Sequence, residues 1–133
     1  MVNRGIEEET VPYCMQHNKA ILAYSPLERG LLTGKMKPGY TFAPGDHRTS
    51  NKFFTSESIA RTNAFLEKIK PLADSKNATL AQLVIRWTIE RPGITIALVG
   101  ARNKEQAIQN AKAIEVNLTH DEIDFINQYL YHY

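Results

Sequence analysis

The sequence predicts an α/β fold with parallel strands, and three observations carry that prediction. Residues 20–24 and 94–99 are short apolar runs without strict alternation, the pattern of strands buried on both faces. Segments with helical periodicity separate them, which gives the length of crossover that parallel neighbours need. Each run stops at turn chemistry, Ser25-Pro26 after the first and Gly100 after the second. Two strands are few for a parallel sheet, which ordinarily has more strands and helices on both faces. The pattern therefore points to a piece of a larger α/β domain, or to a chain that borrows strands from another.

The elements follow in order. Residues 7–17 predict a short helix, with Thr10 as N-cap, Pro12 tolerated in the first turn and Asn18 closing the helix in a left-handed conformation. After the first strand, Gly30 and Gly34 mark a long loop. Residues 35–55 are polar and punctuated by Pro and Gly. A structureless stretch of this length is uncommon in a compact domain and is usually functional or disordered. Residues 56–75 predict a helix with Ile59, Leu66, Ile69 and Ala73 on one face. Pro71 is expected to kink or break it, because Pro has no N–H for the carbonyl of Glu67. Thr79 and Gln82 fit a capping box at the start of another helix. That helix is apolar on most sides (Leu80, Leu83, Val84, Ile85, Trp87, Ile89) and should be well buried. Arg91-Pro92-Gly93 ends it. Past the second strand, residues 103–113 predict a helix with Ala107, Ile108, Ala111 and Ile114 toward the core. The last helix starts at Thr119 as N-cap, with Glu122 at N3 and with Leu118 and Ile123 in the positions of a hydrophobic staple.

Composition narrows the function classes. A chain of 133 residues is enough for one modest domain. Its 16 basic and 14 acidic side chains leave a net charge of +2, too small to argue for nucleic acid or a membrane surface as partner. Cys14 is the single cysteine, so no internal disulfide can form; it reads as a small half-buried hydrophobe in a reducing cytoplasm. No signal-peptide core follows Met1 and no run of 18 apolar residues occurs, which predicts a chain neither secreted by that route nor membrane-spanning. There is no internal repeat and no low-complexity tract. His17, His47, His120 and His132 lack metal-ligand spacing and read as surface histidines.

Two loops carry candidate chemistry. The first runs from Tyr24 through Ser25, Pro26, Leu27, Glu28, Arg29 and Gly30 to Gly34-Lys35, directly after a strand. Its glycines let backbone N–H groups approach an anion, and Ser25, Arg29 and Lys35 add a hydroxyl and charge. A plain glycine-containing turn accounts for these residues equally well. The second is Gly100-Ala101-Arg102, followed by Gln106 and Asn110 at i,i+4 spacing on the next helix. A helix N-terminus after a strand favours anions, and Arg102 has the fork geometry for a phosphate. Asn103 with Gln106 also fits simple helix capping, and on these residues alone capping is the stronger reading.

Two such loops after two strands match the way phosphate sites are built after strands 7 and 8 of (β/α)8 barrels. Residues 23–27 with 30–35, then Gly45-Asp46-His47-Arg48, then residues 79–87, then Val99-Gly100-Ala101-Arg102 with Gln106 and Asn110, together resemble the aldo-keto reductase family. The matches are in order and span nearly the whole chain, from about Met1 to Leu130. They are nearest to the branch that contains bacterial reductases and potassium-channel β subunits. The resemblance implies a C-terminal fragment of a (β/α)8 TIM barrel, one partial domain over residues 1–133 holding strands 7 and 8 with their helices, and a cofactor-covering loop at residues 36–55. It implies NADP(H) as cofactor. Tyr24 would stack on the nicotinamide. Ser25, Pro26, Leu27 and Gly30 would line the pyrophosphate, partly through backbone N–H groups. Lys35 and Arg48 would hold phosphate, although each also reads as a solvated surface charge. Gly100 and Arg102 would meet the 2′-phosphate or adenine, and Gln106 and Asn110 the adenosine end. Glu28, Arg29 and Gln109 receive no firm role.

The family reduces aldehydes and ketones by hydride transfer, with a catalytic Asp, Tyr, Lys and His. By the resemblance that set precedes Met1, so no residue here is assigned to catalysis. The chain alone is expected not to reduce carbonyls. Its expected partners are NADP(H) and either the missing N-terminal half of the barrel or another copy of itself. Two alternatives are a non-catalytic nucleotide-sensing or regulatory module and a self-assembling half-barrel.

Overall fold

The computed structural model describes residues 1–131 and 133; His132, read above as a surface histidine, lies outside the described residues. Among the described residues, five α-helices and two strands follow in the order α1 (Thr10–Gln16), β1 (Leu22–Tyr24), α2 (Ser56–Ser75), α3 (Leu80–Ile89), β2 (Ile96–Leu98), α4 (Lys104–Ala111) and α5 (His120–Tyr131). Single 3-10 turns precede α1 and follow α4, and others lie in the long loop between β1 and α2.

β1 and β2 pair in parallel, with Leu22 opposite Ile96, Ala23 opposite Ala97 and Tyr24 opposite Leu98. The strands are shorter than their apolar runs, and they are not buried on both faces. Leu22 (50% exposed), Tyr24 (78%), Ile96 (47%) and Leu98 (43%) share one face of the pair. Helix α3 packs beside β2 on the other side, where Ala23 and Ala97 are half-buried. Ile21, just before β1, is buried. The apolar runs have the composition of doubly covered strands, but this chain brings a cover to one face.

The main core lies between helices. Leu66 and Ile69 of α2, Leu83 and Trp87 of α3, and Ile126 and Leu130 of α5 bury one another. Trp87 Nε1 donates to Asn127 Oδ1 at 3.1 Å, so the indole's polar edge is satisfied as well. Helix α2 runs from Ser56 to Ser75 with Pro71 inside it, contrary to the expected break. Pro71 and Glu67 are both exposed, so the carbonyl left without a donor turns to water.

Caps behave as their spacing predicts. Thr79 and Gln82 form a full capping box, and so do Thr119 and Glu122. Leu118 and Ile123 are half-buried against the core. Asn18 is left-handed (φ 52°), as expected after α1. Thr10, however, is the first residue of α1 and not its cap. The Gly5–Glu7 turn runs up to the helix and leaves Glu9 at the cap position, without a side-chain capping bond. Helix α3 ends at Ile89 with Glu90 as its C-cap, and in the turn that follows Gly93 has φ +80°, where a Cβ would lie 2.8 Å from Val11 Cγ1.

Helix α4 departs most from expectation. None of its residues is buried, and Ile108 and Ile114 are 46% and 64% exposed. Ala113 and Val116 are the buried residues of this stretch. The helix gives way at Lys112 to a 3-10 turn, Lys112–Glu115. The tighter turn advances the phase, so that an i,i+3 pair faces inward in place of Ala111 and Ile114.

Candidate functional site

The parallel register makes β1 and β2 end side by side, so the loops after Tyr24 and after Leu98 leave the same edge of the sheet. The first loop is held by its own backbone. Ser25, Glu28 and Arg29 are all left-handed (φ 53°, 42° and 49°). The N–H of Glu28 donates to the Ser25 carbonyl at 2.8 Å, and that of Gly30 to the Leu27 carbonyl at 3.0 Å. The Gly30 N–H is therefore committed inside the turn, and what Gly30 offers a ligand is close approach of the backbone. Pro26 is buried, and the Leu27 side chain packs toward the main core. Tyr24 stands exposed at the strand end. Gly34 closes the turn at φ +72°, where a Cβ would lie 3.1 Å from Leu80 Cδ1. Glu28 is buried, and its Oε1 accepts from Arg29 Nη1 at 2.9 Å.

Residues 35–55, expected as a structureless stretch, carry a small core and two 3-10 turns, His47–Ser50 and Lys52–Phe54. Met36 and Phe54 pack with Leu31 and Ile59, and Phe42 meets Phe54 edge-on at 5.7 Å. Asn63 Nδ2 donates to the Met36 carbonyl at 2.8 Å, which ties the segment to α2. Arg48 is heavily engaged. Its Nε lies 3.0 Å from Asp46 Oδ1 and its Nη2 2.6 Å from Asp46 Oδ2, while its guanidinium covers the Phe42 ring at 4.9 Å. Arg48 Nη1 reaches the Arg29 carbonyl at 3.4 Å, across to the first loop. Hydrogen bonds from the Arg48 side chain and backbone hold the Asp46 carboxyl well below the usual carboxylate range, and Asp46 in turn raises the Arg48 pKa. Lys35 is exposed, and its ammonium has no partner among the described residues.

The loop after β2 is braced by the side chains expected at the adenosine end. Asn103 Oδ1 accepts from the Gln106 N–H at 2.8 Å, the capping bond that the spacing predicts. Gln106 Oε1 accepts from the Arg102 N–H at 2.9 Å, and Asn110 Nδ2 donates to the Gly100 carbonyl at 3.3 Å. Capping and loop bracing thus both occur, and Gln106 Nε2 and Asn110 Oδ1 remain open among the described residues. The Arg102 side chain is exposed and has no partner among the described residues.

Tyr24, Ser25, Pro26 and Gly30 stand at one strand end and Gly100 and Arg102 at its neighbour. Arg48 is joined to the first loop through Arg29, whereas Lys35 ends that loop with its N–H on Thr33 Oγ1 at 3.4 Å and its side chain exposed. A cavity of about 560 Å³ flanks β1, lined among others by Arg4, Tyr24, Ser25, Pro26, Trp87 and Arg91. It shares only Tyr24, Ser25 and Pro26 with the predicted set, and no residue beyond Ile94 lines it. Asp46, Glu28, Arg29 and Gln109 have structural roles that the sequence reading leaves unassigned. The Asp46-x-Arg48 spacing is the one local signal that points to such a pair. Among the described residues no group of three His, Cys, Asp or Glu side chains is placed to hold a metal, and no helix is long and apolar enough to cross a membrane.

Comparison with known proteins gives consistent results. The model of the aldo/keto reductase family matches residues 1–130. The NADH-specific methylglyoxal reductase of Escherichia coli (strain K12) is 31% identical over 119 residues, which are 90% of this chain and 36% of that protein. A probable voltage-gated potassium channel subunit beta of Arabidopsis thaliana is 30% identical, over 84% of this chain and 34% of that protein. Among solved structures, a glycerol dehydrogenase of Gluconobacter oxydans superposes with a TM-score of 0.88 at 31% identity, covering 98% of this chain and 39% of its own. The chain spans about a third of the length of these curated relatives.

Proposed function

The chain belongs to the aldo/keto reductase family, and from that premise we propose that it supplies the cofactor-gripping C-terminal portion of a (β/α)8 reductase barrel, with β1 and β2 as strands 7 and 8. The cofactor is NADP(H), whose nicotinamide supplies a hydride to an aldehyde or ketone when it is bound. The residues present fit such a ligand. Tyr24 offers an exposed aromatic face at a strand end, the first loop brings backbone close at Gly30, and Arg102 offers an uncommitted guanidinium beside a helix N-terminus. In this reading Tyr24 orients the nicotinamide, and Ser25, Pro26, Leu27 and Gly30 line the pyrophosphate. Gly100, Arg102, Gln106 and Asn110 hold the adenosine end. Residues 36–55 cover the cofactor, with Arg48 inside the segment and Lys35 just before it as cations. None of these residues is placed to protonate a developing alkoxide, so the chain alone does not reduce carbonyls.

The observation that carries the reading is the free Arg102 side chain on a loop that leaves the sheet beside the first loop. A free cation there favours a 2′-phosphate, and hence NADP(H) over NAD(H). The methylglyoxal reductase of Escherichia coli is described as NADH-specific, so the preference needs its own measurement. Both cofactors are titrated against the chain by saturation-transfer NMR, which detects weak binding. A charge-assisted hydrogen bond contributes roughly 1.5–3 kcal/mol, so Arg102→Ala should shrink the NADPH-to-NADH affinity ratio by about 10- to 100-fold. An unchanged ratio removes Arg102 from the site.

A further inference from the structure

Helix α4 carries Gln106 and Asn110, yet none of its eight residues is buried. A helix this short is marginal without tertiary packing, so contacts other than its own apolar face must hold it. One such contact comes from α3. Gln82 is buried, at 6% exposure. Its Oε1 accepts from the Thr79 N–H at 2.8 Å, which completes the capping box. Its Nε2 donates to the Gln109 carbonyl at 2.9 Å and lies 3.3 Å from Gln109 Oε1. One side chain therefore caps one helix and ties the next. Gln109 stands beside Asn110, which holds the Gly100 carbonyl, and one turn from Gln106, which holds the Arg102 N–H.

We infer that Gln82 is a positioning residue: by donating to Gln109 it fixes α4, and through α4 the loop that carries Arg102. The inference rests on the proposed assignment of that loop to the cofactor. Two substitutions separate the roles of Gln82. Gln82→Glu keeps the acceptor for Thr79, and with it the capping box. It has no hydrogen for Gln109 and sets a carboxylate against the Gln109 carbonyl. Thr79→Ala does the reverse, removing the cap and leaving the tie.

The test combines amide hydrogen exchange of the whole chain with the ratio of NADPH to NADH affinity. For Gln82→Glu, exchange over residues 104–111 should rise about tenfold while residues 80–89 change by less than about twofold. The affinity ratio should fall by about threefold or more. General destabilisation would speed exchange throughout and leave the ratio alone. Thr79→Ala should loosen only the first turn of α3. If the Glu variant does not fold, Gln82→Met, of similar length and apolar, should still raise exchange over residues 104–111 beyond the level in Thr79→Ala. Unchanged exchange there in the Gln82 variants, or an equal rise in Thr79→Ala, overturns the inference. Faster exchange with an unchanged ratio supports the tie and overturns the assignment of the loop to the cofactor. Failure of NADPH to bind the unsubstituted chain also counts against that assignment, and exchange alone then decides the tie.

Discussion

Asp46 grips Arg48 from both carboxylate oxygens, and the pair stands where residues 36–55 meet the loop after β1. The Arg48 hydrogen bonds hold the Asp46 pKa below its ordinary 3.8. A carboxylate whose folded pKa is depressed stabilises the fold fully above its unfolded pKa, and that contribution fades as pH falls through the folded value. The His47–Ser50 turn should therefore persist down to roughly pH 4 and loosen only in stronger acid. Amide shifts of Thr49 and Asn51 followed by NMR against pH measure this; a midpoint at the ordinary carboxylate value would refute it. Asp46→Asn should remove the acid dependence and loosen the turn already at neutral pH. This contact was hard to read in advance because an i,i+2 ion pair in a loop has no periodic signature. Asn103 with Gln106, Thr79 with Gln82 and Thr119 with Glu122 were readable, because capping has a fixed three-residue spacing set by helix geometry. The second bond of Gln82 was not, since its partner lies 27 residues along the chain.

At the scale of elements, apolar periodicity together with cap and turn residues located the five α-helices of the described residues. The failures were at the start of α1, at Pro71 and at α4, and the last two come from tertiary context. Pro71 survives inside α2 because its position faces water, where the freed Glu67 carbonyl can be hydrated. Its energetic effect on the helix should remain measurable. Pro71→Ala restores a backbone donor, which contributes about 0.5–1.5 kcal/mol, and removes a ring clash that in a helix interior can bring the total to about 3 kcal/mol. Against this, the more flexible unfolded chain offsets about 0.4–1 kcal/mol. The first effect is larger, so Pro71→Ala should stabilise the chain by about 1–2 kcal/mol. The measurement is the urea midpoint at unchanged m-value. A lower midpoint would mean that chain stiffening by the proline outweighs the missing hydrogen bond. In α4 the apolar spacing was real, but the switch to a 3-10 turn at Lys112 moved the inward face to Ala113 and Val116. No residue type in that stretch marks such a switch.

For the molecule as a whole, the fold class was legible because strand composition and crossover length are local properties. Burial was legible in part: two strands without further neighbours leave an apolar face uncovered, as Leu22, Ile96 and Leu98 show, whereas Ile21 of the same run is buried by what packs against it. Leu22, Ile96 and Leu98 have the character of covered residues and remain 43–50% exposed on one face. A leucine or isoleucine gains about 1.5–3 kcal/mol from full burial, so roughly half of that is still available at each position. Three adjacent side chains on a parallel pair, with Tyr24 beside them, thus make a cohesive apolar patch. The chain should self-associate in a concentration-dependent manner, seen as a rising weight-average sedimentation coefficient. Leu22→Lys with Leu98→Lys should suppress it and leave helix content intact, since the main core lies between α2, α3 and α5 and includes neither residue. Charge at both strands raises the desolvation cost of any apolar contact over this face. A compact monomer at high concentration would sink the idea, because the exposed face would then be tolerated in water without a cover. Association that survives both substitutions would place the sticky surface elsewhere, with Ile108 and Ile114 around α4 and Ile6 and Met15 at and before α1 as further exposed aliphatic side chains among the described residues.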